Sequence, residues 1–402
     1  MPEERSRTIR ILHVTTSLAA FSGIEETIRI LIHGLDRGRF RIGLASIVDP
    51  PGAAVEELKA TGVEIHVIHR RGSVIDVVTT SKLIGILGRF GADIVHTHRN
   101  KGNFHGRIAA QALGIPIVTT HHDMGDLEFS RSPFSGRRLH SLHSNEPPDF
   151  VQRWIFPFLN VKLDRMNHRV IAVSDHVRRI HAASLADTRV ETIHAPFDES
   201  LFPKSWHGLR HPEIVIGTAG SLGFLKGHIH LIRAMRILRD AGRDIRWRIA
   251  GDGPLRAELE AAVEKEGIAD RVTFLGFQAH DARLYEGLDL YVQPSLAEGC
   301  SITLLEAMAS GIPVIASDID GPTELIEHGV SGLLVPPAHP ESLASAIASL
   351  ADDRGKAAAI GQAGHERSLS RFSSRVFLEK MSRVYEECAA LPSRAGIDYA
   401  PL

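Results

Sequence analysis

Cysteine is almost missing from this chain of 402 residues: only Cys300 and Cys388 occur, which excludes a disulfide framework and a paired Cys-x-x-Cys metal site. A reducing compartment is the expectation. An excess of charge of one sign is missing too, since Lys+Arg 46 against Asp+Glu 48 leaves a net charge of -2. That balance argues against a whole-chain nucleic-acid footprint and against an acidic disordered tail. Nor is there an apolar run of the roughly 18 residues that a membrane helix needs, because Arg10, His13, Lys82 and Glu306 interrupt the best candidates. Short-period repeats are absent as well. The start of the chain, basic Met1–Arg10 followed by the fairly apolar Ile11–Phe21, has the outline of a signal peptide. His13, Thr15, Thr16 and Ser17 dilute that apolar stretch, and Ile9–Thr16 reads instead as a first buried strand ending in the Ser22-Gly23 loop.

What is present is an alternation of short β-branched runs with helical-period segments, the pattern of parallel sheets covered by helices. Strands are expected at Ile9–Thr16, Ile42–Asp49, Glu64–Ile68, Asp93–His98, Ile117–His121, Arg169–Ser174 and Val190–His194. Between the first two, Ile24, Ile28, Leu31, Ile32 and Leu35 fall on one helical stripe, which needs an apolar partner. The alternation breaks at Asp198–Pro212 and restarts with Ile214–Thr218, Arg246–Ala250, Val272–Leu275, Leu290–Gln293, Val314–Ser317 and Leu333–Val335. At roughly 150 residues per domain the length allows two to three domains, and the reading is two α/β domains with a cleft between them. The assigned ranges are 1–200, a linker at 201–212, 213–371, and a helix at 372–390. In the last of these, Phe372, Val376, Phe377, Met381, Val384 and Tyr385 recur on one side.

Three local constellations carry chemistry. In Glu298-Gly-Cys-Ser-Ile-Thr-Leu-Leu-Glu306, Ser301 is a plausible N-cap and Ile302–Ser310 a short helix that Gly311 and Pro313 end. The free amides at 299–303 and the positive helix end suit a phosphate. Two flanking carboxylates suit hydroxyl pairs of a nucleotide sugar. A dipole-stabilised helix start with solvated glutamates explains the same residues. Gly220-Ser-Leu-Gly-Phe-Leu-Lys226-Gly227 is a strand-to-helix turn that lets backbone approach a diphosphate and ends in a mobile positive charge. It matches neither Gly-x-Gly-x-x-Gly nor the phosphate-binding loop of kinases, and a solvated surface lysine is the plain alternative. Third, Ile117–His121 delivers His122 to a strand end, where open α/β sheets bind ligands. A structural hydrogen bond is the competing role for it.

Other patterns have simpler readings. His96-Thr-His98 and His228-Ile-His230 have alternate spacing but no evident third ligand, so no zinc site is expected. Asp318-Ile-Asp320 and Gly251-Asp-Gly-Pro254 read as turns. Arg153-Trp154-Ile-Phe156-Pro-Phe158, near Lys162, Arg165 and Arg169, suits a membrane surface or a lipid-linked acceptor, and equally a helix packed on the first sheet.

Taken in order, Asp93-Ile-Val-His-Thr-His, Gly251-Asp-Gly-Pro-Leu, Val272-Thr-Phe-Leu-Gly-Phe, Asp289-Leu-Tyr-Val-Gln-Pro-Ser, Glu298…Glu306-Ala-Met-Ala-Ser-Gly-Ile-Pro-Val and Gly329-Val-Ser-Gly-Leu-Leu-Val-Pro-Pro resemble retaining glycosyltransferase family four. The resemblance runs over nearly the whole chain. It implies the GT-B architecture: two Rossmann-like domains whose parallel sheets face across a cleft, the acceptor bound by the first, the nucleotide sugar by the second, and a C-terminal helix crossing back to the first domain. By the same resemblance His122, Glu298 and Lys226 would be catalytic. The donor would be held by Gly23, Ser221, Lys226, Phe277, Gln278, Glu298, Gly299, Cys300, Ser301, Ile302 and Glu306. Glu298 would meet hydroxyls of the transferred sugar, Glu306 the ribose, and Lys226 the diphosphate leaving group, while Phe277 and Gln278 would lie at the nucleobase and Gly23 beside the diphosphate.

The implied function is transfer of a sugar from a nucleotide-diphosphate sugar to a hydroxyl acceptor with retention, in polysaccharide or glycoconjugate synthesis. The implied co-substrate is the nucleotide sugar, with no metal and no bound cofactor. The acceptor would be a sugar or a lipid-linked species, nucleic acid is not a partner, and the location would be cytoplasmic or peripheral at the inner membrane face. The sequence departs from the family pattern in three places. Ser221 stands where an Arg usually accompanies the lysine, Ser22-Gly23 replaces Gly-Gly, and Cys300, Ser301 and Thr303 replace Phe, Gly and Pro. A sugar-nucleotide epimerase, a phosphorylase or a weakly active nucleotide-sugar-binding protein are the rival readings.

Overall fold

Each β-branched run between helical segments becomes a parallel strand. The structure, a computed structural model, describes residues 7–16, 23–48, 52–69, 76–122, 163–182, 185, 190–206, 208–209, 213–278 and 281–391. The chain divides into two compact units. The first takes in the residues up to Ala195 and returns from Ser374 onward, and the second runs from Pro196 to Ser373. The aromatic and basic stretch at 153–158 lies outside the described residues.

In the first unit the strands are β1 (Ile9–Thr15), β2 (Phe40–Ser46), β3 (Glu64–Val67), β4 (Ile94–His98), β5 (Ile117–His121), β6 (Arg169–Ala172) and β7 (Val190–Thr192). They form one sheet in the order β3-β2-β1-β4-β5-β6-β7. Its helices are α1 (Gly23–Gly34), α2 (Gly52–Ala60), α3 (Val77–Phe90), α4 (Asn100–Ala112) and α5 (Asp175–Ala182). Their ends follow local chemistry: the Asp76 carboxylate accepts from the amides of Val78 and Thr79 to start α3, and left-handed Gly91 ends it, as capping rules lead one to expect. Strand order reverses direction between β1 and β4, so the ends of those strands are where this topology opens a crevice for ligands.

The second unit repeats the plan. Strands β8 (Ile214–Ala219), β9 (Ile245–Ala250), β10 (Val272–Gly276), β11 (Leu290–Gln293), β12 (Val314–Ser317) and β13 (Leu333–Val335) lie in the order β10-β9-β8-β11-β12-β13. The switch point is now between β8 and β11. Helices α6 (His228–Asp240), α7 (Arg256–Lys265), α8 (Ile302–Ala309), α9 (Pro322–Leu325), α10 (Pro340–Asp352) and α11 (Arg354–Phe372) cover it. The core gathers Ile216, Leu231, Trp247, Ile249, Leu290, Val292 and Ile347, and each such side chain contributes roughly 1.5–3 kcal/mol through its burial.

Two segments gain detail over their sequence readings. In the stretch read as a linker, Phe202 is buried, Trp206 packs on the second core, and its Nε1 donates to the Asp289 carbonyl. Proline and charge signalled a break in alternation there, not an absence of packing. The C-terminal helix expected at 372–390 is α12 (Ser374–Ala389), set off from α11, which ends at Phe372, by extended Ser373. Helix α12 belongs to the first unit. There Phe377, Met381, Val384, Tyr385 and Cys388 join Ile30, Leu31 and Leu35 of α1 and Ile11 of β1 in one cluster, while Ile24, Ile28 and Ile32 of the α1 stripe pack with Leu44 of β2 and Leu58 of α2.

Candidate functional site

The two loops that straddle the β8–β11 switch point are 220–227, after β8, and 294–301, after β11. A backbone bond joins them, the Leu296 amide donating to the Leu225 carbonyl at 2.7 Å. Across the same seam the Lys226 ammonium donates to the Glu298 carboxylate at 2.5 Å, both side chains partly exposed. Gln293, the last residue of β11, then ties the second loop down. Its Nε2 donates to Glu298 Oε2 at 3.0 Å, while its Oε1 accepts from Ser301 Oγ at 2.6 Å.

Ser301 is the N-cap of α8: its Oγ accepts from the Leu304 amide at 3.3 Å. The amides of Ile302 and Thr303 have no acceptor among the described residues. Two unpaired N–H groups at a helix start, beside an ammonium held by a carboxylate, form a site for an anion carrying hydroxyls. The sequence-picked Lys226, Glu298, Ser301 and Ile302 are thus brought together, with Gly299 and Cys300 between them.

The other expected site residues differ in their surroundings. Phe277 and Gln278 follow edge strand β10 and are exposed, with Gln278 Nε2 donating to the Leu275 carbonyl. Ser221 is exposed in the first loop. Glu306 is 1% exposed and accepts from the Tyr285 hydroxyl at 2.6 Å. Burial, and then the Glu306 charge, push the Tyr285 phenol well above its ordinary value, so that bond stays protonated. Tyr285 occupies Glu306 Oε2, and a carboxylate keeps further lone pairs for a second donor. Gly23 opens α1 in the first unit, whose first turn carries Glu25 and Glu26; Arg99 and Arg29 pair with these carboxylates.

His122 follows β5 and touches a cluster that the sequence did not disclose. His98 Nδ1 lies 3.1 Å from His122 Nε2, and His98 Nε2 lies 3.0 Å from His13 Nδ1. His13 and His96 are register partners on β1 and β4. Ligand nitrogens of His13, His96 and His98 lie within 4.8 Å of one another, so the third imidazole that the His96-x-His98 spacing lacked comes from a strand more than eighty residues earlier in the sequence. Beside it Arg107, Asp164, His121 and His181 form a second buried group, with Arg107 Nη2 2.6 Å from Asp164 Oδ1 and His121 stacked on His181 at 3.6 Å. Burial works against the Asp164 charge, but His121 and Arg107 outweigh it and hold the carboxyl well below its usual range.

Comparison with known proteins settles the family. A model described as glycosyl transferases group 1 matches residues 204–367, and one described as glycosyltransferase family 4 matches 21–201. The alpha-D-kanosaminyltransferase of Streptomyces kanamyceticus is 32% identical over 303 residues, covering 73% of this chain and 77% of that protein. The chain belongs to the group 1 glycosyltransferases. The 2-deoxystreptamine glucosyltransferase of the same organism is 28% identical over 289 residues, 69% of this chain and 73% of its own. Among solved structures, Anabaena HepE in complex with UDP-glucose superposes with a TM-score of 0.77 at 22% identity, covering 94% of this chain and 100% of that one. Sucrose-phosphate synthase from Thermosynechococcus elongatus gives 0.75 at 20% identity, covering 95% and 99%. The GT-B fold expected from the sequence is therefore observed. No helix of the described residues is long and apolar enough to cross a membrane.

The loop that carries Glu298 rests on Gly321, just after Asp320. Gly321 has φ +94, and a Cβ there would lie 2.6 Å from the Glu298 carbonyl oxygen and 3.0 Å from that of Gly299. Gly321→Ala is expected to lower stability by at least ~1 kcal/mol and to displace Glu298, raising the KM for donor. Urea unfolding together with steady-state kinetics checks this; an unchanged KM would show that the loop does not depend on Gly321.

The glycosyltransferase should also be acid-sensitive in a defined window. Burial lowers His13 and His122 from 6.5 to about 3 and His121 to about 4. Between those values and 6.5 the unfolded chain binds protons that the folded chain does not, so stability rises with pH there. Each histidine contributes a slope of up to about 1.4 kcal/mol per pH unit, lost as pH falls below about 6.5. Unfolding free energies measured at pH 7 and pH 5 should differ by several kcal/mol; equal values would mean that these imidazoles are not buried.

Proposed function

We propose that this glycosyltransferase takes a sugar from a nucleoside-diphosphate sugar and transfers it to a hydroxyl acceptor with retention of anomeric configuration, in glycoconjugate or polysaccharide synthesis. The observation that carries the reading is the Lys226–Glu298 pair joining two loops beside the unpaired amides of α8. Support comes from relatives named as a 2-deoxystreptamine glucosyltransferase and an alpha-D-kanosaminyltransferase, and from HepE, whose structures hold UDP and UDP-glucose.

In this reading the diphosphate lies against the amides of Ile302 and Thr303, and Lys226 turns from Glu298 to the phosphate. Preorganised N–H groups and an ammonium then stabilise the charge that builds on the leaving group. Glu298, released from Lys226 but still bonded by Gln293, accepts from hydroxyls of the transferred sugar, and His122 acts at that sugar. The bond from the anomeric carbon to the diphosphate oxygen breaks, and the acceptor oxygen bonds to the same face. The acceptor's proton passes to the departing phosphate oxygen. A location on the cytoplasmic side of a membrane, with a lipid-linked acceptor, belongs to the same proposal. The test is NMR of the product formed from an α-linked donor: an α-linked product is expected, and an inverted one would refute retention.

A further inference from the structure

The imidazoles of His13, His98 and His122 form a chain, and its hydrogen bonds specify which nitrogen of each ring carries the proton. His13 and His98 are 0% exposed and His122 is half-buried; desolvation holds every one far below its ordinary pKa, with Arg99 the charged neighbour of both His98 and His122. Each ring is therefore neutral, with one N–H and one bare nitrogen.

Two arrangements satisfy both contacts. In one, His13 Nδ1–H donates to His98 Nε2, His98 Nδ1–H donates to His122 Nε2, and the proton of His122 sits on Nδ1. In the other every proton is reversed, and His13 carries it on Nε2. That nitrogen is buried without a partner among the described residues. The second arrangement strands a buried N–H, the first only a lone pair, and orphaned buried N–H groups are the rarer and costlier. His96 does not compete, since Tyr385 of α12 meets its Nδ1 at 2.7 Å and Thr120 its Nε2 at 2.7 Å.

We propose that His98, backed by His13, is a positioning residue that holds His122 as the tautomer protonated on Nδ1, so that His122 presents a hydrogen-bond donor to the substrate and not a base. The proposal rests on the reading of His122 as a residue that meets the donor sugar. A metal held by His13, His96 and His98 is the competing reading; it requires His96 and His98 to give up bonds that they make in this structure.

The test compares two substitutions in the full-length enzyme. His98→Asn keeps an amide where Nδ1 stood and retains the bond to His122, whereas His98→Gln places its amide near Nε2 and loses that bond. His98→Gln should lower kcat about three- to tenfold, the factor that the loss of one neutral hydrogen bond corresponds to, at nearly constant donor KM, and His98→Asn should restore most of it. Long-range proton–nitrogen NMR of histidine-labelled enzyme should show His122 protonated on Nδ1 in wild type and mixed in His98→Gln. Equal kinetics for the two variants, the opposite tautomer in wild type, or stoichiometric zinc in the purified protein by mass spectrometry would each overturn the proposal. His122→Ala separates the two levels: full activity there would remove His122 from the site, while the NMR result would still decide how the chain orients it.

Discussion

Lys226→Ala is expected to lower kcat by about 10²–10³-fold, the magnitude found when one preorganised donor to a developing charge is removed. It should also weaken nucleoside-diphosphate binding by roughly 1–3 kcal/mol, the range for a hydrogen bond to a charged group. The effect on folding should be small. Lys226 is partly exposed, and Glu298 keeps its bond from Gln293. The substitution thus separates catalysis from stability. Steady-state kinetics with thermal unfolding of the same preparation would check it, and a variant with wild-type turnover would remove Lys226 from the leaving-group site. Ser221 sharpens the expectation: without a guanidinium at that position, Lys226 is the one charge that the 220–227 loop brings to the seam.

Asp164→Ala should have the largest effect on stability. Arg107 and Asp164 are 0% and 2% exposed, and Asp164 also bonds with His121 and Asn167. Removing the carboxylate leaves a guanidinium buried without its counter-charge, which costs about 3–5 kcal/mol. Substituting both partners with apolar residues of similar volume, Arg107→Met with Asp164→Leu, should recover much of that loss, since a buried pair gains little over apolar packing. Urea unfolding of the single and double variants gives the comparison. A double variant as unstable as the single would show that the pair is worth more than its desolvation.

Most of the architecture was legible because both sheets are parallel and buried, so their strands read as short apolar runs bounded by turns. Ile117–His121, Leu290–Gln293, Val314–Ser317 and Leu333–Val335 match residue for residue. Ser301 was legible as a cap because capping is local. The misses are non-local. His13 meets His96 and His98 only because β1 and β4 are neighbours across the switch point, and no spacing along the chain encodes that. Tyr385 reaches His96 from the other end of the sequence. The Gln293 bridge and the seat that Gly321 gives to Glu298 depend on loops folding against each other. Glu306 was picked as a carboxylate for the ribose, and its bond from Tyr285 is a pairing that only the close approach of another segment creates.

The claim that organises this account is that a nucleoside diphosphate binds at the amino end of α8 under Lys226. Isothermal titration calorimetry of the wild-type enzyme and Lys226→Ala with UDP, GDP and ADP tests it most directly. One of the three should bind the wild type, and its affinity should fall about tenfold or more in the variant, as the loss of one charged hydrogen bond requires. No binding by any of the three, or equal affinity for both proteins, would contradict it.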